Sequence, residues 1–448
     1  MTGIPIATYL PRFTGILRKT RISMRLSNVL YIFFFLLSAA CPARAEIKNI
    51  VFTLDEAIAI ALRDNCDILW NQEKLRQAAL EIDEARSGYF PEVTLGSTAT
   101  DTRGLYKKDI LSYSFSTGVK QYLYQGGKTV NTLKQAGHKS ELQEAILEKA
   151  VLDTAAKVRK AFYALSLAKE LARVNSEILR NTQEHCAAVR ARYEKGQASE
   201  SEVLRFESSL AVYESLSEEA LNQKENALVV LKNILYLQVD TEFDIVYNFE
   251  YSERQIAIDE AILSALRQRP EIKQYEAQQA VDTKAVAIAR ADNRPSIYAS
   301  FDYASRSTTS LTFSPGKGWQ DYNTLGLTMS WPIFDGWLTK AKVEQAVSAL
   351  KQDAILKDKL IMDIAFQVKE AYVSLKTAIA KLAASKKDSE VYADNARILE
   401  ARYNDGIASQ LDMKDASLAL LVSGFNHTQA LYDCLMAKAE LDSAMGAR

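Results

Sequence analysis

The sequence is poor in the residues that interrupt helices. Only 17 glycines and 8 prolines occur among 448 residues, well below the shares of about 7% and 5% that are usual for soluble proteins. Charged residues make up 25% of the chain, and hydrophobic ones 48%. This composition predicts long, uninterrupted helices with solvated faces, and it disfavours a loop-rich fold.

Cysteine, histidine and any excess of basic charge are also scarce. The 4 cysteines and 3 histidines are dispersed, with no spacing typical of a disulfide framework or a metal site. Basic and acidic residues number 55 and 56, so no basic field is available for nucleic acid. No nucleophile or acid–base pair suggests an enzyme, and no cofactor is expected.

An exported N-terminus is indicated by the apolar run Val29–Ala40, which follows Arg25 and is too short to span a bilayer. Ala43-Arg44-Ala45 places signal-peptidase cleavage before Glu46. Residues 1–45 are therefore expected to be a signal peptide. A start at Met24 would give it ordinary length.

A competing processing site lies within the same segment. Leu37-Ser38-Ala39-Ala40-Cys41 is similar to a bacterial lipobox, although Ser38 stands where leucine is usual. Lipidation at Cys41 is thus an alternative to simple cleavage after Ala45.

The remainder of the chain consists of two copies of one plan. Residues 54–68 match residues 258–272 at eight of fifteen positions. Two later blocks match at a slightly larger offset, including the segments RYEKG and RYNDG. The expected organisation is a first repeat over 46–257 and a second over 258–448.

Each copy changes its periodicity in the same order. A helix of about 30 residues is predicted from Leu54 to about Ser87, where the apolar spacing is helical. Alternating residues then predict strands near 91–124 and, in the second copy, near 295–334, each about ten residues long. The second hairpin loop, Ser305–Gln320, is polar and longer.

Two very long helices follow the strands. Only Gly137 interrupts the stretch from Gly127 to Lys195, and no glycine or proline occurs from Trp337 to Asp405. These stretches end at Gly196 and Gly406, after which a helix of about 40 residues returns. The predicted fold is mainly α, with long coiled-coil hairpins.

Four strands cannot form a closed sheet, and strands in a membrane must close into a barrel of at least about eight. The chain is therefore expected to form a homotrimer, in which three copies supply twelve strands. The helices are too polar for lipid and belong in an aqueous compartment.

The repeat, the strands that follow prolines, the YxGG and FDGW junctions and the two RY tip segments resemble the TolC family of outer membrane factors. The resemblance covers Phe52 to about Gly446. It implies an α-barrel above which a trimeric twelve-stranded β-barrel sits in outer-membrane lipid. It also implies a passive exit duct for efflux or type I secretion, working with a periplasmic adaptor and an inner-membrane pump, either proton-driven or ABC type.

The resemblance also implies a periplasmic gate at the hairpin tips. Residues 403–415 match the family pattern YxxGxxxxxDxxD, which makes Asp412 and Asp415 constriction carboxylates and Tyr403 a latch residue. Glu202 takes the position of a family aspartate and could accept a hydrogen bond from Tyr403. Ala408 replaces an arginine found in some members. The competing interpretation is that both aspartates are ordinary acids on a solvated helix face.

Two alternatives remain to be weighed. Gly126-Gly127-Lys128-Thr129 superficially resembles a phosphate-binding loop, but Tyr122 stands where its first glycine is required. A trimeric coiled-coil surface adhesin would contain a barrel segment at one end, whereas strand pairs in both halves favour a duct. The cargo is left open.

Overall fold

The computed structural model describes residues 50–105, 108–247, 257–308 and 318–447. The predicted signal peptide, the alternative start Met24 and Cys41 lie outside these ranges. Across them the chain repeats one order of elements, which is two helices, two strands, one long helix and a returning helix.

The first copy contains β1 (Ile50–Phe52), α1 (Leu54–Asp64), α2 (Cys66–Ser87), β2 (Glu92–Leu105), β3 (Lys108–Gln125), α3 (Lys128–Glu194), α4 (Glu200–Ile234) and β4 (Phe243–Ile245). The second copy contains α5 (Ile258–Gln268), α6 (Pro270–Ala291), β5 (Ser296–Ser307), β6 (Trp319–Ser330), α7 (Leu338–Asn404) and α8 (Gln410–Met445). The short strands β1 and β4 pair with each other.

The predicted single helix from Leu54 to Ser87 is wrong, because Asn65 divides it into α1 and α2. Asn65 adopts an extended conformation (φ −68°, ψ 125°), and its side chain accepts a hydrogen bond from the backbone N–H of Asp67 at 2.9 Å. The second copy breaks at Arg269 with the same backbone angles, −65° and 126°, and Pro270 begins α6.

The two long helices are as predicted. α3 and α7 each contain 67 residues, which corresponds to a length of about 100 Å at 1.5 Å per residue. α3 continues through Gly137 without a break. The returning helices α4 and α8 have 35 and 36 residues.

Each copy has one compact apolar cluster where its first short helix meets its hairpin. In the first copy, Ala57 and Ala61 of α1 pack with Phe162 of α3 and Leu231 of α4. In the second copy the equivalent cluster contains Ala261, Ala265, Ile364, Val368 and Cys434. Small alanines on α1 and α5 allow close helix approach.

The four long strands form one antiparallel sheet in the order β2-β3-β5-β6. One row across the sheet pairs Val93, Val119, Phe301 and Leu325, and the next pairs Thr94, Gly118, Asp302 and Thr324. Because neighbouring rows point to opposite faces, the apolar row lies on one face of the sheet and the polar row on the other. Leu325 and Leu327 on the apolar face are 82% and 71% exposed.

The strand boundaries differ from the prediction in two places. The strands contain 12 to 18 residues rather than about ten, and β5 and β6 extend into the segment predicted as a loop, 305–320. β6 ends at Ser330, whose partner Ser296 is the first residue of β5. Trp331 and Ile333 therefore lie beyond the strand, where Pro332 also lacks a backbone donor.

The helices form a single layer whose neighbours change along its length. Near the strands α6 packs between α3 and α7, whereas towards the hairpin tips α8 takes that place. The ion pair between Lys149 of α3 and Glu271 of α6 lies at the level near the strands. The ion pair between Glu184 of α3 and Lys414 of α8 lies at the level near the tips. One edge of the layer is formed by α2 and α4, and the other by α7.

None of the helices in the described ranges is both long enough and apolar enough to cross a membrane.

Candidate gate at the hairpin tips

The two hairpin tips have the same backbone turn. Gly196 and Gly406 both adopt the left-handed conformation, with φ of +72° and +73°, which any side chain disfavours. Their N–H groups donate to the carbonyls of Tyr193 and Tyr403 at 2.8 and 2.9 Å. The structure thus places the predicted tip glycines at equivalent helix ends.

Asp412 lies in the first turn of α8, where it caps the helix. Its carboxylate accepts from the Ser409 hydroxyl at 2.8 Å and from the Ser409 N–H at 3.1 Å, while the Asp412 N–H donates to the Ser409 hydroxyl at 3.1 Å. This reciprocal arrangement is a capping box. The hydrogen bonds from the Ser409 side chain and backbone lower the pKa of Asp412, so the carboxylate is charged at neutral pH.

Asp415 follows Asp412 by three residues, which puts the two carboxylates on the same face of α8. Both side chains are exposed. In the single chain this face meets solvent, so the geometry fits both the constriction and the solvated-face interpretations. Asp415 differs from Asp412 in that it lies beyond the capping box.

Tyr403 and Glu202, the other predicted gate residues, have separate surroundings. Tyr403 lies in the last turn of α7 and is exposed. Glu202 lies in the first turn of α4, 3.9 Å from Arg192 of the same hairpin. Among the described contacts, the predicted hydrogen bond between Tyr403 and Glu202 is not formed. Arg192 also donates to the carbonyl of Gln197 at 3.3 Å.

A contact between the two hairpins was missed by the sequence analysis. Lys414 of α8 lies 2.6 Å from Glu184 of α3, and Arg180 reaches the same carboxylate at 3.1 Å. Lys414 stands between the two predicted gate aspartates. Because 230 residues separate the partners, no local pattern could have predicted this ion pair.

A second feature near the tips is the buried His185 of α3. Its ring stacks against Phe206 of α4 with 6.4 Å between centroids, and its Nε2 has no hydrogen-bond partner among the described residues. Within the ranges that the structure describes, no group of three or more metal-binding side chains occurs. The site is therefore made of surface charges and hydrogen bonds.

The comparisons with known proteins agree with this architecture. The family model described as "Outer membrane efflux protein" matches residues 57–235 and 261–447. Protein CyaE of Bordetella pertussis is 28% identical over 385 residues, covering 83% of this chain and 79% of that protein. The probable efflux pump outer membrane protein TtgC of Pseudomonas putida is 27% identical over 389 residues, with coverages of 81% and 77%.

A solved structure shares the fold. The CmeC outer membrane channel of Campylobacter jejuni superposes with a TM-score of 0.76 at 19% identity, covering 88% of this chain and 85% of that chain. The comparisons confirm the predicted resemblance and the mainly α fold with a β part, and they favour an outer-membrane channel over a surface adhesin. They also agree with the prediction that the protein is not an enzyme, since the family is one of efflux proteins. The chain is a member of the outer membrane efflux protein family.

Proposed function

We propose that three copies of this chain close one continuous duct through the outer membrane and the periplasm, gated at its periplasmic end by the hairpin tips. The observation that carries the proposal is the four-stranded sheet, whose edge strands β2 and β6 have no partner outside the sheet among the described residues. In hydrocarbon every backbone N–H and C=O must be paired. A second and third copy supply those partners.

The number three follows from the width of the barrel. Two copies would give eight strands, and the interior of such a barrel is filled by side chains. Three copies are the smallest number that leaves a wet lumen. The polar row that includes Thr94, Gly118 and Asp302 would line it, while the row of Leu325 would face lipid.

The helical layer has matching open edges. On one edge α7 exposes Ile355, Met362 and Phe366, and on the other α4 exposes Val229 and Val230. β2 and α2 lie on the same edge as α4, and a seven-residue segment joins β6 to α7 on the other edge. Head-to-tail contact between unlike edges produces a closed ring, which here would be a tube standing in the periplasm.

The duct itself would be passive. Energy for export would come from an inner-membrane pump, proton-driven or of the ABC type, coupled through a periplasmic adaptor. CyaE and TtgC, with which the chain shares 28% and 27% identity, do not fix the cargo of this chain.

At the gate, three copies of Asp412 and Asp415 would bring six carboxylates around one axis, where they would attract cations. Tyr403 would latch the closed state by donating to the Glu202 carboxylate of a neighbouring copy, since the two side chains, both within the described ranges, are not hydrogen-bonded within one chain. The Lys414–Glu184 ion pair would hold the second hairpin against the first in that state.

Single-channel recording of the protein in planar bilayers tests the gate. Asp415→Ala removes a charge without touching the capping box, and Asp412→Asn removes a charge while keeping a hydrogen-bond acceptor for Ser409. We expect the combined variant to lower the cation-to-anion permeability ratio at least about twofold and to weaken block by trivalent cations. Tyr403→Phe should raise the resting conductance.

The matched control is the double variant Glu214→Ala, Glu218→Ala, which removes two exposed acids from α4 away from the tip. It should leave selectivity unchanged. Unaltered selectivity and unaltered trivalent block in the Asp412 and Asp415 variant would instead assign these residues to a solvated helix face.

A further inference from the structure

Two ion pairs and one pair of acids follow one another along the contact between α6 and α7. Asp292 lies 3.3 Å from Lys342 at the end near the strands. Glu276 lies 3.1 Å from Lys357 at the other end. Between these two ion pairs stand two acids, Asp282 of α6 and Asp353 of α7, which are hydrogen-bonded to each other.

Two carboxyl groups can share a hydrogen bond only when one of them carries a proton. When both are ionised they repel each other, and nothing in the flanking ion pairs relieves the repulsion, because Lys342 and Lys357 are each occupied by another carboxylate. The two acids are partly buried, so water screens the repulsion incompletely.

The surroundings of Asp282 contain few compensating groups. Within α6, Gln278 donates to its carboxylate at 3.3 Å, and Lys284 lies two residues away. α3 packs on the other side of α6, where Gln135 donates to the carbonyl of Val281 at 3.2 Å.

The charged groups of α3 in this region have partners of their own. Lys139 lies 3.4 Å from Glu81 of α2, and His138 lies 2.9 Å from Glu141. Lys134, one residue before Gln135, is the remaining basic group there. His138 is the histidine of this region, so it requires a control variant of its own.

We propose that Asp282 and Asp353 form a proton-dependent clasp, which fastens α7 to α6 when the pair holds one proton and loosens that contact when the proton leaves. Burial, with the facing Asp353 as the next cause, raises the pKa of Asp282 to about 6, whereas Gln278 acts in the opposite direction. The clasp would therefore open within the range of pH that a periplasmic protein meets.

The sign of the effect follows from the direction of this shift. A carboxyl group whose folded-state pKa is raised imposes no penalty below its ordinary value near 4. The penalty grows as pH rises from about 4 to about 6 and is complete above that. The clasp thus stabilises the α6–α7 contact in acid and weakens it at neutral pH. α7 continues from this contact to the tip turn at Gly406. A looser contact would therefore leave α7 less restrained along its course towards the tip.

Hydrogen–deuterium exchange of the full-length protein in detergent, measured from pH 5 to 7.5 and corrected for the intrinsic pH dependence of exchange, tests the proposal. We expect protection of the amides in residues 276–291 and 346–360 to fall about three- to tenfold over this range. One pKa unit corresponds to tenfold, and partial exposure of the pair reduces the effect. The fall should level off above about pH 6.

Four variants separate the clasp from other causes. Asp282→Asn and Asp353→Asn each mimic the protonated pair and should give high protection that no longer depends on pH. Asp358→Asn removes one exposed charge from α7, five residues after Asp353 and on a different face of the helix, and should keep the wild-type slope. His138→Gln should also keep it.

The proposal is overturned if the wild-type protection is independent of pH, or if both asparagine variants retain the wild-type slope. Loss of the slope in His138→Gln would assign the pH dependence to the imidazole. None of these outcomes depends on the number of copies in the ring, so the clasp and the proposed trimer fail or stand independently.

Discussion

The two halves of the chain reach the same backbone geometry by different chemistry. Asn65 and Arg269 break their helices with φ and ψ values that agree within three degrees. Asn65 does so by capping α2 with its own side chain. Arg269 is followed by a proline, and its buried guanidinium donates to the carbonyl of Ala444 at 2.7 Å and to Gln367 at 2.8 Å. The fold is thus conserved between the copies at the level of conformation, while the supporting contacts differ.

The same contrast holds at the tips and at the junctions below the strands. Ser409 has a reciprocal capping box with Asp412, whereas Ser199 caps only the N–H of Glu202 at 3.3 Å. Gly127 begins α3 in the left-handed conformation, and Trp337 takes that conformation before α7. Where the chemistry differs, equivalent substitutions should have unequal effects.

The largest difference is expected at the helix breaks. Arg269→Ala leaves the buried carbonyl of Ala444 and the side-chain oxygen of Gln367 without their charged donor, which should lower the free energy of unfolding by about 3 kcal/mol. Asn65→Ala removes one cap and should lower it by about 1 kcal/mol. Urea unfolding followed by circular dichroism measures both. Equal losses would show that the buried guanidinium contributes no more than the cap.

A smaller difference is expected at the tips. Ser409→Ala removes the hydroxyl that both donates and accepts in the capping box, so a loss of about 1.5 kcal/mol is expected, against about 0.7 kcal/mol for Ser199→Ala. Fraying should be confined to the first turn of each returning helix. Hydrogen exchange resolved to residues 409–413 and 199–203 checks the location, and a larger effect at Ser199 would contradict the comparison.

The smallest effects concern the junctions. Trp337 has φ +68°, a conformation that strains a side-chain-bearing residue by about 1 kcal/mol or more. Trp337→Gly should therefore stabilise the fold by about 0.5 kcal/mol after the greater freedom of glycine in the unfolded chain is counted. Gly127→Ala, at φ +86° and with its new Cβ in ordinary contact at 3.6 Å, should destabilise by about 1 kcal/mol. Thermal unfolding measures both changes, and a destabilising Trp337→Gly would show that the contacts of the indole with Phe334 and Lys340 outweigh the backbone strain.

Periodicity and repetition were sufficient to predict the long helices, the strand pairs and the tip turns. α3 and α7 could be predicted because no proline interrupts either stretch of 67 residues. The alternation of the strands could be predicted because the sheet has one apolar face. Gly196 and Gly406 stand where a left-handed residue ends each helix.

The features that the sequence did not predict depend on neighbours distant along the chain. The break at Asn65 was missed because asparagine is also tolerated within helices, and its cap is visible only in three dimensions. The end of β6 at Ser330 is set by the length of its partner β5. The Lys414–Glu184 ion pair and the Asp282–Asp353 pair join separate helices. Asp412 was recognised as a tip acid, but its capping role was not.

The central claim is that the open edges of the sheet and of the helical layer are closed by further copies of the same chain. Native mass spectrometry of the protein released from detergent micelles measures the number of copies directly. The account predicts a mass of three protomers, and that trimer should persist when the helical gate is altered at Asp412 and Asp415. A stable monomer in detergent, with the edge strands β2 and β6 unpaired, would contradict it.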